Sequence, residues 1–521
     1  MHPCLSIPEI LQHIFQDVDT DNGFRRDLPS LAALARTCRD FNDPALDLLW
    51  RTQYGLENVL RCMPPDLLQL TIRDEVRILR PLKRSDRERP LIYMCRIKNL
   101  IINGGPNATK IFPLLLTSSE TLFPRLITLH WNYAQDLLNI RFLLSPRLTE
   151  LYLFLSSTHA NLSFLPSIPK LCPSLEKVTV DIGIRLPGAG HDLVSSTSEF
   201  VRQLWSIKHI DIEIGDLPSL EHLSRLPELI SLDVRSLPDI LKSPAACFPL
   251  PFHTLEKLAL RDCEIEATIY FLSHCSLPTI CRLDIPLDSS TTVADITRLH
   301  TALARSCSHD ALTELDIDYS ESNPPEQDEE AYMIPLCSLE PLFCFAKLTS
   351  VSITSHLGFA LDDDSMKSVA LAWPHLVFLE FECGQYAEYN IPGLTLRSLS
   401  ILAKHCAFLK TLQLTLDATS IPDLDSDAIP QLALRYLQVG KSFISAPTIY
   451  VAQYISSIFP KLSRIETYRT DMENDDPDEL EENGEAIGYH NLWMEVGIQL
   501  PVLRTVRAQE QARVRRELGA N

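Results

Sequence analysis

This sequence of 521 residues lacks the marks of several large protein classes. No uninterrupted apolar run approaches the ~18 residues that a membrane-spanning helix needs, so we expect no membrane segment. Lys and Arg number 47 against 68 Asp and Glu, and this deficit disfavours nucleic-acid binding, which requires a basic surface. The N-terminus has no basic region, and Pro8 and Glu9 interrupt its apolar stretch. We therefore expect no secretion signal and a location in the cytoplasm, the nucleus or both.

Motifs for catalysis, metals and cofactors are also missing. The 14 cysteines include no CxxC pair, and the sequence contains no HExxH, GxSxG or GxGxxG motif. Val439-Gly440-Lys441-Ser442 resembles the end of a phosphate-binding loop, but Arg435 occupies the position of the first required glycine. We predict a protein with no catalytic residue, no metal and no cofactor. Thiols such as Cys172 and Cys406, which end helical segments, are expected to be buried packing residues.

The feature that is present is a leucine-rich repeat. The pattern L-x-x-L-x-L, with Ile, Val or Thr as substitutes, recurs about fifteen times between Ile97 and a weak last copy at Leu503. Those 406 residues span 14 steps, or 29 residues a step. A period of this length predicts one strand and one helix per repeat. We expect an α/β solenoid over residues 96–508, with parallel strands inside and helices outside. The copies begin at 97, 126, 148, 175, 207, 229, 255, 280, 312, 348, 376, 409, 434, 462 and 503.

The alternation of side chains in each strand defines a candidate binding surface. The leucines face the core, and the positions between them line the concave face of the solenoid. The candidate residues for binding a target are Asp211, Asp233, Arg261, Asp284, Asp316 and Glu380. Like charges on neighbouring strands destabilise a sheet unless cations neutralise them. Two interpretations remain open: Arg and Lys residues of the sheet supply the cations, or a basic segment of a target does.

The excess of acidic residues is concentrated in three runs, 321–330, 362–364 and 471–485, which contain no Lys or Arg. Such runs are usually solvated surface, and we predict that 471–485 is a mobile acidic loop within the last repeats. Residues 509–521 are predicted to form a basic C-terminal tail.

The first fifty residues have helical periodicity instead. Apolar residues at Ile10, Leu11, Ile14 and Phe15 form one face of an amphipathic helix. A second apolar face contains Leu31, Leu34, Ala35, Cys38 and Phe41, and a third helix is predicted after Asp43 as N-cap and Pro44. Three short helices make a small core, so a partner that covers exposed apolar residues would stabilise them.

This N-terminal segment resembles an F-box over residues 5–54. The resemblance is carried by Ile7-Pro8-Glu9-Ile10-Leu11, Ile14-Phe15, Leu34-Ala35-Arg36-Thr37-Cys38-Arg39-Asp40-Phe41 and Leu48-Leu49-Trp50. It implies docking to the Skp adaptor of an SCF-type cullin-RING ubiquitin ligase. The residues it assigns to adaptor binding are Ile7, Pro8, Ile10, Leu11, Ile14 and Phe15 at the front, with Leu34, Cys38, Phe41 and Trp50 at the rim. Residues 19–27 lengthen the first loop relative to the family pattern.

An F-box followed by degenerate leucine-rich repeats resembles fungal F-box proteins of this type. Residues 55–95 are predicted to link the two parts through a solvated helix ending near Pro81 and a loop reaching Pro90. The resemblance implies a substrate receptor whose repeats bind an unidentified protein target for ubiquitination. The alternative is a scaffold that binds proteins without any ubiquitin transfer.

Overall fold

The computed structural model describes most of the chain, in two compact units formed by residues 1–229 and 230–521. The described ranges are 7–19, 27–70, 76–103, 122–133, 137–184, 190–237, 249–287, 291–319, 333–383, 393–423, 430–445, 447–467 and 484–519. Helices and parallel strands alternate in both units after an N-terminal group of helices. This is the α/β class that the repeats predict.

The first unit begins with three helices and continues into parallel strands. Its helices are α1 (Pro8–Asp19), α2 (Leu28–Leu34), α3 (Arg39–Arg51), α4 (Glu57–Leu60), α5 (Glu88–Met94), α6 (His159–Phe164), α7 (Ile168–Leu171), α8 (Gly190–Val201) and α9 (Leu217–Ser224). Its strands are β1 (Thr52–Tyr54), β2 (Leu68–Leu70), β3 (Val76–Ile78), β4 (Asn99–Ile102), β5 (Thr128–Trp131), β6 (Glu150–Ser156), β7 (Lys177–Ile184) and β8 (His209–Ile212). Short 3-10 helices span Arg84–Arg87, Leu137–Phe142 and Leu165–Ser167. Strands β1 and β4 to β8 pair in parallel in chain order.

The second unit repeats the same alternation. Its helices are α10 (Ile265–His274), α11 (Val293–Ser306), α12 (Leu336–Leu339), α13 (Asp363–Ala372), α14 (Leu396–His405), α15 (Thr448–Ile458) and α16 (Gly484–Gly519), with a 3-10 helix at Glu340–Cys344. Its strands are β9 (Ser231–Val234), β10 (Leu250–Pro251), β11 (Lys257–Leu260), β12 (Cys275–Ser276), β13 (Arg282–Pro286), β14 (Glu314–Tyr319), β15 (Ile334–Pro335), β16 (Ser350–Ser355), β17 (Phe359–Ala360), β18 (Phe378–Cys383), β19 (Thr411–Leu414), β20 (Asp417–Ala418), β21 (Tyr436–Gln438), β22 (Phe443–Ile444) and β23 (Arg464–Glu466). Strands β9, β11, β13, β14, β16, β18, β19, β21 and β23 pair in parallel.

The repeat leucines form the core of this second unit. One residue from each of the nine strands lies in register with the next and is buried, which gives the row Leu232, Leu258, Leu283, Leu315, Val351, Leu379, Leu412, Leu437 and Ile465. Each of these side chains packs against its equivalents in the neighbouring repeats, because parallel strands lie ~4.8 Å apart. The row removes apolar surface from water along the entire set of strands.

Fourteen of the fifteen predicted copies coincide with strands, and the last one does not. Leu503 lies inside α16, so the prediction of a repeat at this position was wrong. Trp493, Val496 and Leu500 are buried at the spacing of a helix, and α16 continues past Leu503. The predicted basic tail likewise continues α16 as far as Gly519.

The predicted link between the N-terminal helices and the repeats was also wrong. Residues 68–70 and 76–78 form an antiparallel pair, β2 and β3, in place of the helix expected to end near Pro81. The helix α5 begins at Glu88, where a loop was predicted. Strand β1 pairs with β4, so the sheet begins before the first leucine copy. At the position equivalent to Leu100, β1 has Gln53, whose side-chain amide donates to the carbonyls of Leu49 and Thr52.

The three acidic runs have different outcomes. Residues 321–330 and 471–483 lie outside the described residues, so the predicted acidic loop stays a prediction. Residues 362–364 begin α13, where the Asp362 carboxylate caps the Ser365 amide at 2.8 Å. Asp363 accepts hydrogen bonds from the Thr395 amide and hydroxyl at 3.0 and 2.7 Å. This run therefore joins two repeats through hydrogen bonds and is not a solvated loop.

The described cysteines are free thiols with a range of exposure. Cys172 and Cys406 are buried, as predicted, and burial raises the pKa of each thiol to about 12. Cys95 and Cys337 are exposed. Within the described ranges no helix is long and apolar enough to cross a membrane. The same ranges contain no group of three or more His, Cys, Asp or Glu side chains placed to hold a metal ion.

Candidate protein-binding surfaces

Helices α1, α2 and α3 form a small bundle, which we call the box. Its core consists of Leu11, Phe15, Leu31, Ala35, Ala45 and Leu48, with Val18, Leu34, Phe41, Leu46 and Leu49 packed around them. The rings of Phe15 and Phe41 meet edge to face, with centroids 5.3 Å apart. Asp27 caps α2 by accepting a hydrogen bond from the Ser30 amide at 3.0 Å, and the Ser30 donors lower the pKa of this carboxyl.

The boundary between α2 and α3 differs from the prediction. The predicted second helical face crosses a break, because α2 ends at Leu34 and α3 begins at Arg39. Cys38 is the N-cap residue of α3, whereas Asp43 and Pro44 lie inside that helix. Phe41 thus reaches the core from the third helix. Pro44 is the sixth residue of α3, past the first turn, so it removes the amide that would otherwise donate to the Asp40 carbonyl.

The front of the box is an exposed apolar stripe on α1 and the residue before it, Ile7, Ile10 and Ile14. Their spacing of three and four residues places them on one side of the helix. Ile10 and Ile14 are 36% and 40% exposed, whereas Leu11 and Phe15 are 1% and 2% exposed. Leu11 and Phe15, also predicted to belong to the adaptor-binding front, lie in the core, and their part in adaptor binding stays a prediction. Pro8 is the first residue of α1, and its side chain lies outside the described part of the chain.

The predicted rim residues hold the box in place. Leu34 and Phe41 are partly buried against the core, and Cys38 is half-buried. Trp50 stacks on Tyr93 of α5 with ring centroids 4.5 Å apart, which joins the end of the box to the segment that follows it. Sequence reasoning missed Arg96, whose guanidinium contacts the carboxylates of Asp47 and, at 2.6 Å, Asp43 on α3. An ion pair between residues some fifty positions apart has no local sequence signal.

The second candidate surface is the solvent-facing side of the sheet. Strands such as β8, β9, β14 and β16 alternate half-buried and buried residues, as predicted. Asp211 lies on β8 of the first unit and is half-buried. In the second unit a middle row runs through Asp233, Ala259, Asp284, Asp316, Ser352, Glu380, Gln413, Gln438 and Glu466. The structure thus aligns four of the six candidate residues in one register.

Arginine neutralises the beginning of this row. The Arg261 guanidinium donates to Asp233 at 2.9 Å and to Asp284 at 3.4 Å, which links two carboxylates of the row. Beside the row, Arg282 donates to Glu314 at 3.1 Å. For these strands the interpretation that the sheet supplies its own cations is supported.

The centre of the row is different. In the described ranges no Lys or Arg forms an ion pair with Asp316, Glu380 or Glu382. Glu380 accepts a hydrogen bond from the Ser352 hydroxyl at 2.7 Å, and Asp318 accepts one from Thr354. Burial, followed by the hydrogen bond and charge of Glu380, raises the pKa of Glu382 to about 7. Burial and the charge of Asp284 raise the pKa of Asp316 as well. These carboxylates, Asp316, Asp318, Glu380 and Glu382, are called the central acids below.

Comparisons with known proteins agree with the box. A protein-family model described as F-box-like matches residues 8–55. Residues 8–55 are therefore an F-box-like domain, which agrees with the 5–54 inferred from the sequence. No curated protein matches the sequence. Among solved structures, the chain resembles the crystal structure of the Rad7 and Elc1 complex in yeast, with 12% sequence identity over 90% of this chain and 91% of that one and a TM-score of 0.33.

Proposed function

We propose that this protein is the non-catalytic substrate-recognition subunit of an SCF-type cullin-RING ubiquitin ligase, acting in the cytoplasm, the nucleus or both. The F-box-like domain would bind the Skp adaptor, and the repeats would bind a protein target. The main support for the proposal is the F-box-like match over residues 8–55. In this domain three isoleucines form an exposed apolar stripe beside a buried core.

Adaptor binding would use the front of the box. Ile7, Ile10 and Ile14 cost free energy when they stay in water, and a partner surface would remove that cost. Amphipathic helices commonly bind partners through anchors at this spacing. Trp50 and Arg96 would act indirectly, since they fix the box to the segment that follows it.

Target binding would use the solvent-facing side of the sheet in the second unit. Asp316, Glu380 and Glu382 form no ion pair with a Lys or Arg of the described residues, so a Lys- or Arg-rich segment of a target would complement them. Neutral side chains continue the surface on β19 and β21, among them Gln413 and Gln438. The target would then combine a basic segment with a polar one.

The adaptor half of the proposal can be tested by affinity purification of the full chain. Ile10→Glu combined with Ile14→Glu would place two charges in the apolar contact, which should reduce recovery of the Skp adaptor more than tenfold, as expected for a loss of at least ~1.4 kcal/mol. Gln12→Glu adds a carboxylate on another side of α1, where the residue is exposed, and should leave recovery unchanged.

The partners recovered with the wild-type chain separate the two functional classes. Recovery of the adaptor together with a cullin supports a ligase subunit. Recovery of the adaptor without any cullin would favour a scaffold that transfers no ubiquitin. Undiminished recovery by a folded Ile10→Glu/Ile14→Glu variant would refute docking through the front of the box.

A further inference from the structure

Helix α16 covers the end of the repeats in the second unit. Its inner face contributes Trp493, Val496 and Leu500, which are buried. The Trp493 indole donates to the Ser442 carbonyl at 3.0 Å, and Arg507 donates to the Ser456 hydroxyl of α15 at 2.8 Å. The helix is thus fixed by apolar packing and hydrogen bonds on one side.

The outer face of α16 is apolar too. Met494, Ile498, Val502 and Val506 follow at intervals of four residues and are 44%, 71%, 62% and 49% exposed. Elements that cap a repeat array need a polar outer face to stay soluble, and helices that are apolar on both faces are normally buried. Arg504 is the one charged residue between Glu495 and Arg507, and it turns away from this stripe to donate to the Leu462 carbonyl at 2.8 Å. Among the described residues, the stripe therefore has no polar covering.

We propose that this stripe binds the same stripe of a second copy of the chain, with the two α16 helices antiparallel. The charges that flank the stripe support self-association. Glu495 and Arg513 lie nine residues before and nine residues after Arg504. Their separation of eighteen residues is five helical turns, so both side chains project from the same side of the helix.

A two-fold axis at the level of Arg504 brings the C-terminal halves of the two stripes together, while Ile498 of each copy comes to the level of Glu510 of the other. It places Glu495 of each copy at the level of Arg513 of the other, and Val502 at the level of Val506. Arg513 is exposed and pairs within its own helix with Glu510 at 3.2 Å, so it can exchange one carboxylate for another at small cost. Both copies contribute the same residues to this contact, as in any isologous interface with two-fold symmetry.

The size of the contact predicts a weak dimer. The helix from Met494 to Arg513 is ~30 Å long, and one helix pair of this length lies at the low end of specific interfaces. Dimers should therefore form at micromolar concentrations and dissociate on dilution. Each dimer would present two F-box-like domains, so one assembly could engage two adaptors.

Sedimentation of the full chain over a range of concentrations tests this proposal. The mass should rise from the 58.9 kDa of one chain toward twice that value. Val502→Lys combined with Val506→Lys should keep the protein monomeric, because both side chains are exposed and only association requires them apolar. The matched control is Leu371→Lys combined with Leu432→Lys, which changes two other exposed leucines of the same unit and should dimerise normally.

The charge pair tests the antiparallel arrangement. Glu495→Arg and Arg513→Glu should each weaken the dimer several-fold, and the double variant should restore it. A monomer at every concentration, or a dimer unchanged by the lysines at 502 and 506, would overturn the proposal. A double charge variant no better than the single variants would overturn the antiparallel arrangement.

Discussion

The box and the repeats bury apolar side chains in different ways. The box closes around six buried residues and leaves Ile7, Ile10 and Ile14 in water. In the second unit the row from Leu232 to Ile465 passes without interruption through nine strands. A repeat receives most of its stabilisation from the repeats on either side. The three short helices of the box depend mainly on their own small core.

The difference indicates where partners are needed. In the second unit the half-buried side of the strands carries mostly polar side chains, so this side is free to vary with the target. The box and helix α16 each leave a stripe of aliphatic side chains exposed beside a buried face. Proteins that remain alone rarely keep such stripes. The apolar stripes thus lie on helices, and the charged row lies on the strands of the second unit.

The largest effect should come from a charge in the shared core of the repeats. Leu315 is 1% exposed and lies between Leu283 and Val351, so Leu315→Asp buries an unpaired carboxylate at a cost of several kcal/mol. Hydrogen exchange should show loss of protection in β13, β14 and β16 together. Loss confined to residues 312–317 would show that the repeats do not stabilise one another.

A smaller and more local loss should follow a change in the core of the box. Leu11→Ala removes a large part of a core of six residues and should cost ~2–5 kcal/mol. Proteolysis should then cleave within residues 8–51, and adaptor binding should fall with it. Leu11→Met conserves volume and should keep both properties. If β13 to β19 lost protection in the Leu11→Ala variant, the contrast between box and repeats would be wrong.

The repeats could be predicted because their signal recurs. Each copy is short and ambiguous alone, but a period near 29 residues fixes the strand positions, and fourteen of them are confirmed. The exceptions lie where the period ends. Strand β1 has only three residues and carries Gln53 at the leucine position, so it offers no apolar alternation. The five residues around Leu503, taken alone, fit the alternation of a strand. The twenty residues around it fit the period of a helix.

The sequence predicted on which face of the sheet or helix the candidate residues lie, but it did not predict their contacts. The alternation in each strand correctly placed Asp284, Asp316 and Glu380 on the solvent-facing side. It could not show that Arg261 bridges Asp233 and Asp284, because a guanidinium reaches across strands of distant sequence number. In the box, the helical period identified the apolar residues but could not separate core from front. The turn between Ile10 and Leu11 is only 100°, and tertiary packing decides which one is buried.

A loss of stability of intermediate size is expected from a change at Gln431, a buried polar residue that hydrogen-bonds to the backbone. Its amide donates to the Leu409 carbonyl at 2.8 Å, and its oxygen accepts from the amides of Ala433 and Leu434 at 2.9 and 2.8 Å. Gln431→Ala leaves these buried groups unsatisfied and should cost ~1–3 kcal/mol. The loss should appear as faster hydrogen exchange in β19 and β21. The exposed Gln12→Ala should have an effect below ~0.5 kcal/mol, and an equally small effect at Gln431 would show that water replaces its bonds.

The last effect, visible only as a pH dependence, should come from Glu382. Glu382 has a pKa of about 7 in the folded chain against the ordinary value of 4.5, because burial and the neighbouring Glu380 disfavour its charged form. The folded state therefore binds this proton more tightly than the unfolded state. Stability contributed by this group is present below pH 4.5 and falls as the pH rises to about 7.

Glu382→Gln should remove that part of the pH dependence, measured as the denaturation midpoint at a series of pH values between 4.5 and 7. Glu340→Gln changes an exposed carboxylate of the same unit and should leave the dependence as it is. An unchanged pH dependence in Glu382→Gln would show that Glu382 ionises without penalty and needs no cation. A basic segment bound to this face would favour the charged form of Glu382 and lower its pKa. The pH dependence should therefore shrink when a basic target is added, and it should stay the same when the target binds elsewhere.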